Sequence, residues 1–434
     1  MENLSRCISK ERVLESVKNF TGRPNVKLLD GMEILRATKG VEGLTSIVIR
    51  VKTPYCFSGD DGKILWKTFI VKALPENLFQ LDVVERCRLF VKEVIFFKEI
   101  VPLLSKAAAA GNVSLPLPKC FFAAGDGGSD SIYLEDLSEA GYKIPDSTSF
   151  TVGLDLDHSS LVMKTLGKFH AITYAAEKLL LPSKNWVAEF PVFSRDSIFY
   201  DPIGKDVVSP LFPLVKSCVE TFVTMSSQMN GLPKQPDFTG ALTKALENNW
   251  PNLCRLVQPD PQGFNVLSHG DCWINNAMFL YDGGRPVDLK IIDFQISRYC
   301  HPAVDIFYFM YLCTRREFRD KNLHSLVLEY YNSLVYYLSV LGFDVPPITL
   351  DKLKEDLVKY RAFGIAINSS FTPTMLLGED FMPSNSGELS VEQLRDLYDT
   401  GNSSALLKKF KSDPTFRSRM ETLIREFVDW AIPQ

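Results

Sequence analysis

The chain has no pair of cysteines at C-x-x-C spacing; its nine, at positions 7, 56, 87, 120, 218, 254, 272, 300 and 313, are odd in number and scattered. Neither a disulfide framework nor a thiolate zinc site is suggested. Dense Lys/Arg runs are also missing, and the formal net charge is −4, so there is no electrostatic footprint for nucleic acid. No apolar run approaches a membrane span, and the opening MENLSRCISKERVLES is polar and charged where a secretory signal would carry an apolar core. The expectation is a soluble, cytoplasmic protein with neither a nucleic-acid nor a membrane partner. The sequons Asn112-Val113-Ser114 and Asn368-Ser369-Ser370 arise by chance and matter only on a secretory route. Repeats and low-complexity tracts are absent as well. What remains is an ordinary globular composition, 46% hydrophobic and 23% charged over 434 residues, long enough for two or three folding units.

Strand and helix signals divide unevenly. LTSIVIRVKT and ILWKTFIVKAL are rich in β-branched and aromatic residues, and the PYCFSGDDGK between them has turn chemistry, so residues 44 to 74 read as an antiparallel pair. One long helix follows, with Val84, Cys87, Phe90, Val91 and Val94 along a stripe. LPKCFFAAG, DGGSD and SIYLEDLS suggest another hairpin. From about residue 152 helical spacing dominates, except for residues 277 to 293, where AMFLY, DGGRP and VDLKIID make a hairpin. The predicted class is α+β, bilobal: an antiparallel-sheet lobe over residues 1–136 and a larger helical lobe over 137–434, carrying a helical insert at about 182–262.

The chemistry gathers around that second hairpin. LSHGDCWINNAMF places Asp271 and Asn276 before it, and KIIDFQ places Asp293 at its end. Antiparallel pairing brings the two ends of a hairpin together, so Asn276 and Asp293 can face one small volume. Mg²⁺ is a hard cation that takes few protein oxygens and keeps water and substrate phosphates, which suits an amide and a carboxylate. Asp271 would then orient an incoming hydroxyl and accept its proton. His269 reads as scaffold for this loop, since Asp271 already fills the role of base, and Asp305 as a buried carboxylate that accepts the loop's N–H groups. His170, in GKFHA, reads as packed core.

An Asp followed five positions later by Asn, and then Asp-Phe-Gly, is the protein-kinase signature. Here Gly270 stands for the Arg of His-Arg-Asp and Gln295 for the last Gly. Only twelve positions separate Asp293 from Asp305, too few for an activation segment and peptide platform, so no protein substrate is expected. HGDCWINNAMF, IIDFQ, HPAVDIFYFM, LEDL and GKFHA resemble the ecdysteroid-kinase-like family, within the aminoglycoside and choline kinase branch of the protein-kinase-like fold, over roughly residues 25 to 430. The resemblance implies ATP and Mg²⁺ as cofactors. It implies Lys72 as the phosphate lysine, with Glu93 rather than Glu99 as its ion-pair partner and Lys63 and Lys67 as its competitors. It also implies a phosphate loop containing Gly40, Gly43 and Ser46, and a nucleotide hinge at Leu134 to Leu137, with Glu135 and Leu137 in contact with the base. The loop departs from the family by having Val41, Glu42, Gly43 and Leu44 where relatives carry Gly-Glu-Asn and an aromatic. Three functions stay open: phosphorylation of a steroid-like or xenobiotic alcohol, choline or ethanolamine phosphorylation, and a nucleotide-binding pseudokinase.

Overall fold

The computed structural model describes residues 8–37, 45–59, 63–125, 130–146, 152–200, 208–233, 237–377 and 390–432. Its first part is one antiparallel sheet in the order β1-β3-β4-β6-β5, with β2 also pairing with β3. The strands are β1 (Val26–Leu28), β2 (Glu33–Arg36), β3 (Ile47–Phe57), β4 (Leu65–Ala73), β5 (Cys120–Ala124) and β6 (Ser131–Glu135). The pair expected over residues 44 to 74 is β3–β4, in register from Ile47↔Ala73 to Tyr55↔Leu65. PYCF belongs to β3 and not to the turn, because Tyr55, Cys56 and Phe57 also pair with β1.

A helix that the sequence reading did not foresee, α1 (Lys10–Thr21), lies on one face of this sheet. It is capped by Ser9, whose side chain accepts from Arg12 N–H, and ended by Gly22 at φ 66°. Its Val13 and Val17 bury against Ile49, Val51, Phe69, Val71 and Tyr133. Alternate strand residues point to opposite faces. With Phe69 and Val71 turned to α1, Ile70 and Lys72 must face the other side, where Ile70 packs on the main helical core.

The single long helix expected after β4 is three: α2 (Leu78–Arg86), α3 (Leu89–Ile95) and α4 (Val101–Ala109). Arg88 adopts φ 55° between α2 and α3, a left-handed conformation that breaks the helical path. Phe96–Ile100 forms a π-helical turn between α3 and α4. The break resets the buried stripe: Phe90 and Val94 are buried, whereas Val91 is exposed.

The helical part comprises α5 (Leu156–Leu180), α6 (Phe212–Ser226), α7 (Phe238–Glu247), α8 (Asn249–Leu256), α9 (Ala303–Cys313), α10 (Arg316–Val340), α11 (Leu350–Met375), α12 (Ser403–Ser412) and α13 (Pro414–Ala431), besides shorter turns. Two strand pairs interrupt it: β7 (Val266–Ser268) with β10 (Arg298–Cys300), and the expected hairpin of β8 (Ala277–Asp282) with β9 (Arg285–Ile291). Among the described residues, no helix is long and apolar enough to cross a membrane.

α5 and α10 touch backbone to backbone at Gly167. A Cβ built there would lie 2.5 Å from Tyr330 O and 2.9 Å from Leu334 N. Gly167→Ala gains about 1 kcal/mol of helix propensity, but pushing two backbones apart costs about 1–3 kcal/mol. The net effect expected in a thermal melt is a Tm lower by a few degrees; a higher Tm would mean that the helices part without resistance.

Candidate active site

Lys72 reaches from β4 across to α3. Its Nζ donates to Glu93 Oε2 at 2.6 Å and to Asp293 Oδ1 at 3.0 Å. The other Glu93 oxygen, Oε1, accepts the backbone N–H of Phe294 at 3.2 Å. Three segments remote in sequence thus meet at one ammonium. The competitors lie elsewhere: Lys67 pairs with Glu139 at 3.3 Å, and Lys63 and Glu99 are exposed. Burial by itself would lower the Lys72 pKa, but Asp293 and Glu93 outweigh it and hold the group above the ordinary lysine range, so it stays protonated. Burial pushes the Glu93 carboxyl upward, with Lys72 pulling the opposite way.

Phe294 fastens this corner from beneath. Its ring stacks on Phe96 of the π-helical turn, with centroids 4.0 Å apart, and meets Phe97, Phe169 and His269 edge-on or tilted. Asp293 itself sits at φ 70°, a conformation unfavourable for a non-glycine residue and one that concentrates at functional sites.

The catalytic-loop candidates hang from α9. Asp305 accepts the N–H of His269 on Oδ2 at 2.7 Å and that of Gly270 on Oδ1 at 2.8 Å. Behind it, His170 Nε2 lies 3.1 Å from Oδ2, and His170 Nδ1 lies 2.9 Å from the Tyr330 hydroxyl. His170 is therefore a polar strut within the core, where the sequence reading had packing alone. His269 Nδ1 accepts the N–H of Asp271 at 3.1 Å, so its Nε2 carries the proton and donates to Ile292 O at 2.9 Å. With both ring nitrogens spent on backbone, His269 ties the loop to the strand that delivers Asp293.

Gly270 has φ 88°, and a Cβ there would stand 2.1 Å from Ile296 O. No arginine fits at this position.

Both oxygens of Asp271 are held. Asn276 Nδ2 donates to Oδ2 at 2.8 Å and to the Asp271 carbonyl at 2.9 Å, and the Tyr308 hydroxyl donates to Oδ1 at 2.7 Å. Burial raises the Asp271 pKa and the like charge of Asp293 adds to it, while the bonds from Tyr308 and Asn276 oppose. A carboxylate raised in this way is a stronger base. Because the Asn276 amide nitrogen is committed to Asp271, its Oδ1 is the atom left that could face a metal, at one end of the hairpin whose other end leads to Asp293. With the Asp293 carboxylate it would make a two-oxygen set of the kind Mg²⁺ takes alongside phosphates. Among the described residues no cluster of three or more His, Cys, Asp or Glu side chains converges as a dedicated metal cage would.

The nucleotide-side candidates are distributed less tightly. Ser46 is buried just before β3, and Gly40 and Gly43 lie outside the described residues. The neighbouring Thr45 donates to Gln295 Oε1 at 2.8 Å, so the start of β3 is tethered to the residue two positions past Asp293. Glu135 donates its N–H to Lys119 O at 2.8 Å and accepts Lys119 N–H on Oε2 at 3.1 Å. The Leu137 carbonyl accepts the N–H of Tyr142 at 3.1 Å. Asp136, between them, is buried and pairs with Arg50 Nε at 2.6 Å, so this segment is pinned and not a solvated turn.

Sequence reasoning missed Thr45, Gln295 and Tyr308. The only local signal for any of them is the departure from Asp-Phe-Gly at Gln295.

Burial would raise the Asp305 pKa, but the bond and charge of His170, with His269 and the Gly270 N–H, hold it below the ordinary carboxylate value. A depressed folded-state pKa gives stability that is present above the unfolded pKa of about 4 and lost as pH falls through the folded value. Asp305→Asn should therefore unfold at lower denaturant than the parent at pH 7, by about 2–3 kcal/mol for loss of charged hydrogen bonds. Below about pH 4 the gap should narrow; a gap independent of pH would remove the carboxylate's charge from the account.

Comparison with known proteins places the chain. Among solved structures, a Plasmodium vivax ethanolamine kinase is 12% identical with a TM-score of 0.39, covering 91% of this chain and 83% of its own. A choline/ethanolamine kinase family protein from Mesorhizobium loti is 13% identical with a TM-score of 0.33, covering 91% and 92%. The GDP complex of aminoglycoside 2'-phosphotransferase-IIIa is 13% identical with a TM-score of 0.37, covering 96% and 98%. No curated protein matches. The model of the ecdysteroid kinase-like family matches residues 40–343, well over half the chain. The chain therefore belongs to the ecdysteroid kinase-like family, and that membership supports a small-molecule phosphotransferase.

Proposed function

We propose that the protein is an ATP- and Mg²⁺-dependent kinase that transfers the γ-phosphate of ATP to the hydroxyl of a small-molecule alcohol, steroid-like in the manner of an ecdysteroid or a xenobiotic. The observation that carries this reading is the meeting of Lys72, Glu93, Asp293, Asn276 and Asp271 around one corner, each held by a named partner. Lys72 supplies a fixed positive charge for the phosphates, kept protonated by its two carboxylates. Asn276 Oδ1 and the Asp293 carboxylate would hold Mg²⁺, which when bound offsets the charge of the β- and γ-phosphates. Asp271 hydrogen-bonds the acceptor hydroxyl and takes its proton as the oxygen attacks phosphorus and the bond to ADP breaks. Little covalent chemistry is required of the protein, so positioning and charge account for most of the rate.

Aromatic residues from three segments, α9, α11 and the insert, run away from Asp271. The Tyr308 ring lies 6.4 Å from Phe363 of α11, and Phe199, from the insert, lies 6.4 Å from Phe363, 6.1 Å from Phe371 and 6.0 Å from Trp250. Phe199 and Phe363 are fully buried, so these two back the acceptor side of the site instead of lining an open cleft. An apolar backing suits a polycyclic alcohol.

The test is a screen of steroid and xenobiotic alcohols, with choline and ethanolamine included, for ATP-dependent mass gain. Asp271→Asn should lower kcat with the best acceptor by about 10²–10⁴-fold while ATP still binds in calorimetry. Asp293→Asn or removal of Mg²⁺ with EDTA should weaken ATP binding itself. Near-normal turnover by Asp271→Asn removes it as the base, and ATP binding indifferent to Mg²⁺ removes the metal assignment.

A further inference from the structure

α9 presents two side chains to the loop from one face. Asp305 and Tyr308 are three residues apart, the spacing that stacks side chains one turn above another. Asp305 takes the loop's backbone N–H groups; Tyr308 takes the reacting carboxylate, its hydroxyl 2.7 Å from Asp271 Oδ1. Asn276 holds the opposite oxygen, Oδ2, at 2.8 Å. A carboxylate bonded at one oxygen can still swing about its Cβ–Cγ bond, whereas one bonded at both oxygens from different elements cannot. Tyr308 is buried, and its ring is set against Phe363, so the hydroxyl that does the holding is itself fixed.

We propose that Tyr308 is a positioning residue for phosphoryl transfer, holding Asp271 so that its free lone pairs meet the acceptor hydroxyl in line with the γ-phosphate. This rests on the kinase reading above. The carboxylate oxygens each have a second lone pair, so the bonds from Tyr308 and Asn276 leave an acceptor position for the incoming O–H. Tyr308 gives up no proton and touches no substrate. What it contributes is orientation, and an ångström of misplacement in the base is enough to slow the step greatly. The hydroxyl is required by this argument and the ring is not, which makes Tyr308→Phe the informative change.

The experiment compares the parent and Tyr308→Phe with Mg-ATP and two acceptors: 20-hydroxyecdysone, and water in the slow hydrolysis of ATP. Losing one hydrogen bond to a charged group predicts kcat lower by about ten- to a hundredfold, by the same factor for both acceptors, since both are oriented by Asp271. The KM for the steroid and the Kd for ATP should stay at parent values, while the Tm falls modestly because a buried hydrogen bond is lost. A loss confined to the steroid, or a rise in its KM with kcat unchanged, would make Tyr308 part of the acceptor wall and overturn the proposal. Equal kcat in parent and variant, measured well below both melting temperatures, would overturn it too. A parent that transfers phosphate to none of the alcohols screened above, with or without transfer to water, overturns the kinase reading, and this inference falls with it; the parent's activity, taken with its best acceptor from that screen in place of the steroid where they differ, therefore separates the two failures.

Discussion

The site depends on one buried carboxylate that does no chemistry. Asp305 is fully buried and accepts two backbone N–H groups and one imidazole N–H. An ionised carboxylate is tolerated in such a place only when its lone pairs are met. Here they are met by the loop that carries Asp271, so the stability of the charge and the shape of the loop are one requirement. The sharp turn that brings both N–H groups onto Asp305 also runs the chain against the Ile296 carbonyl, which is why position 270 holds glycine. The arginine usual in protein kinases is excluded by space as well as by the missing activation segment.

The same logic of mutual need governs the other charges. Lys72 is buried and sits between two carboxylates, and Asp271 feels Asp293 as a like charge. Around the ammonium the described contacts give two negative groups to one positive. A cation placed at Asn276 and Asp293 would relieve that excess, whereas a phosphate brought to Lys72 alone would add to it. Under the proposed function, a phosphate would therefore be favoured here only in company with its cation.

The insert between α5 and β7 is joined to this corner by buried polar links. Lys92, adjacent to Glu93 on α3, donates to Ser297 O at 3.1 Å and faces the Phe193 ring at 5.5 Å. Burial lowers the Lys92 pKa to about 8, and nearby Arg298 adds to that while Asp196 opposes it. Asp196, from the insert, pairs with Arg298 of β10 at 2.8 Å. The insert is therefore fastened to the helix that carries Glu93 and to the strand that follows Asp293. A change in the insert has a short physical route to the Lys72–Glu93 pair.

The candidate groups could be read in the sequence, Asp271, Asn276 and Asp293 by local rules and Lys72 and Glu93 by the family resemblance. The Asp-x-x-x-x-Asn spacing lies within one loop, and a two-stranded hairpin, recognisable by its alternation and its DGG turn, necessarily returns Asp293 to Asn276. Period-two alternation in KTFIVKA likewise decides that Lys72 and Phe69 face opposite sides of the sheet, although not which side is the site. The rest required the fold. Glu93 and Glu99 were told apart in the sequence only by the family resemblance; what set Glu93 against Lys72 and left Glu99 exposed is a helix broken at Arg88 that no stripe of apolar residues announced. His170, Thr45, Gln295 and Tyr308 acquired partners 135, 250 and 37 positions away, and a hydrogen bond between such distant groups leaves no periodic trace along the chain. Local sequence pattern determined which candidate groups lie near the hairpin; only long-range packing decided how each of them is aimed.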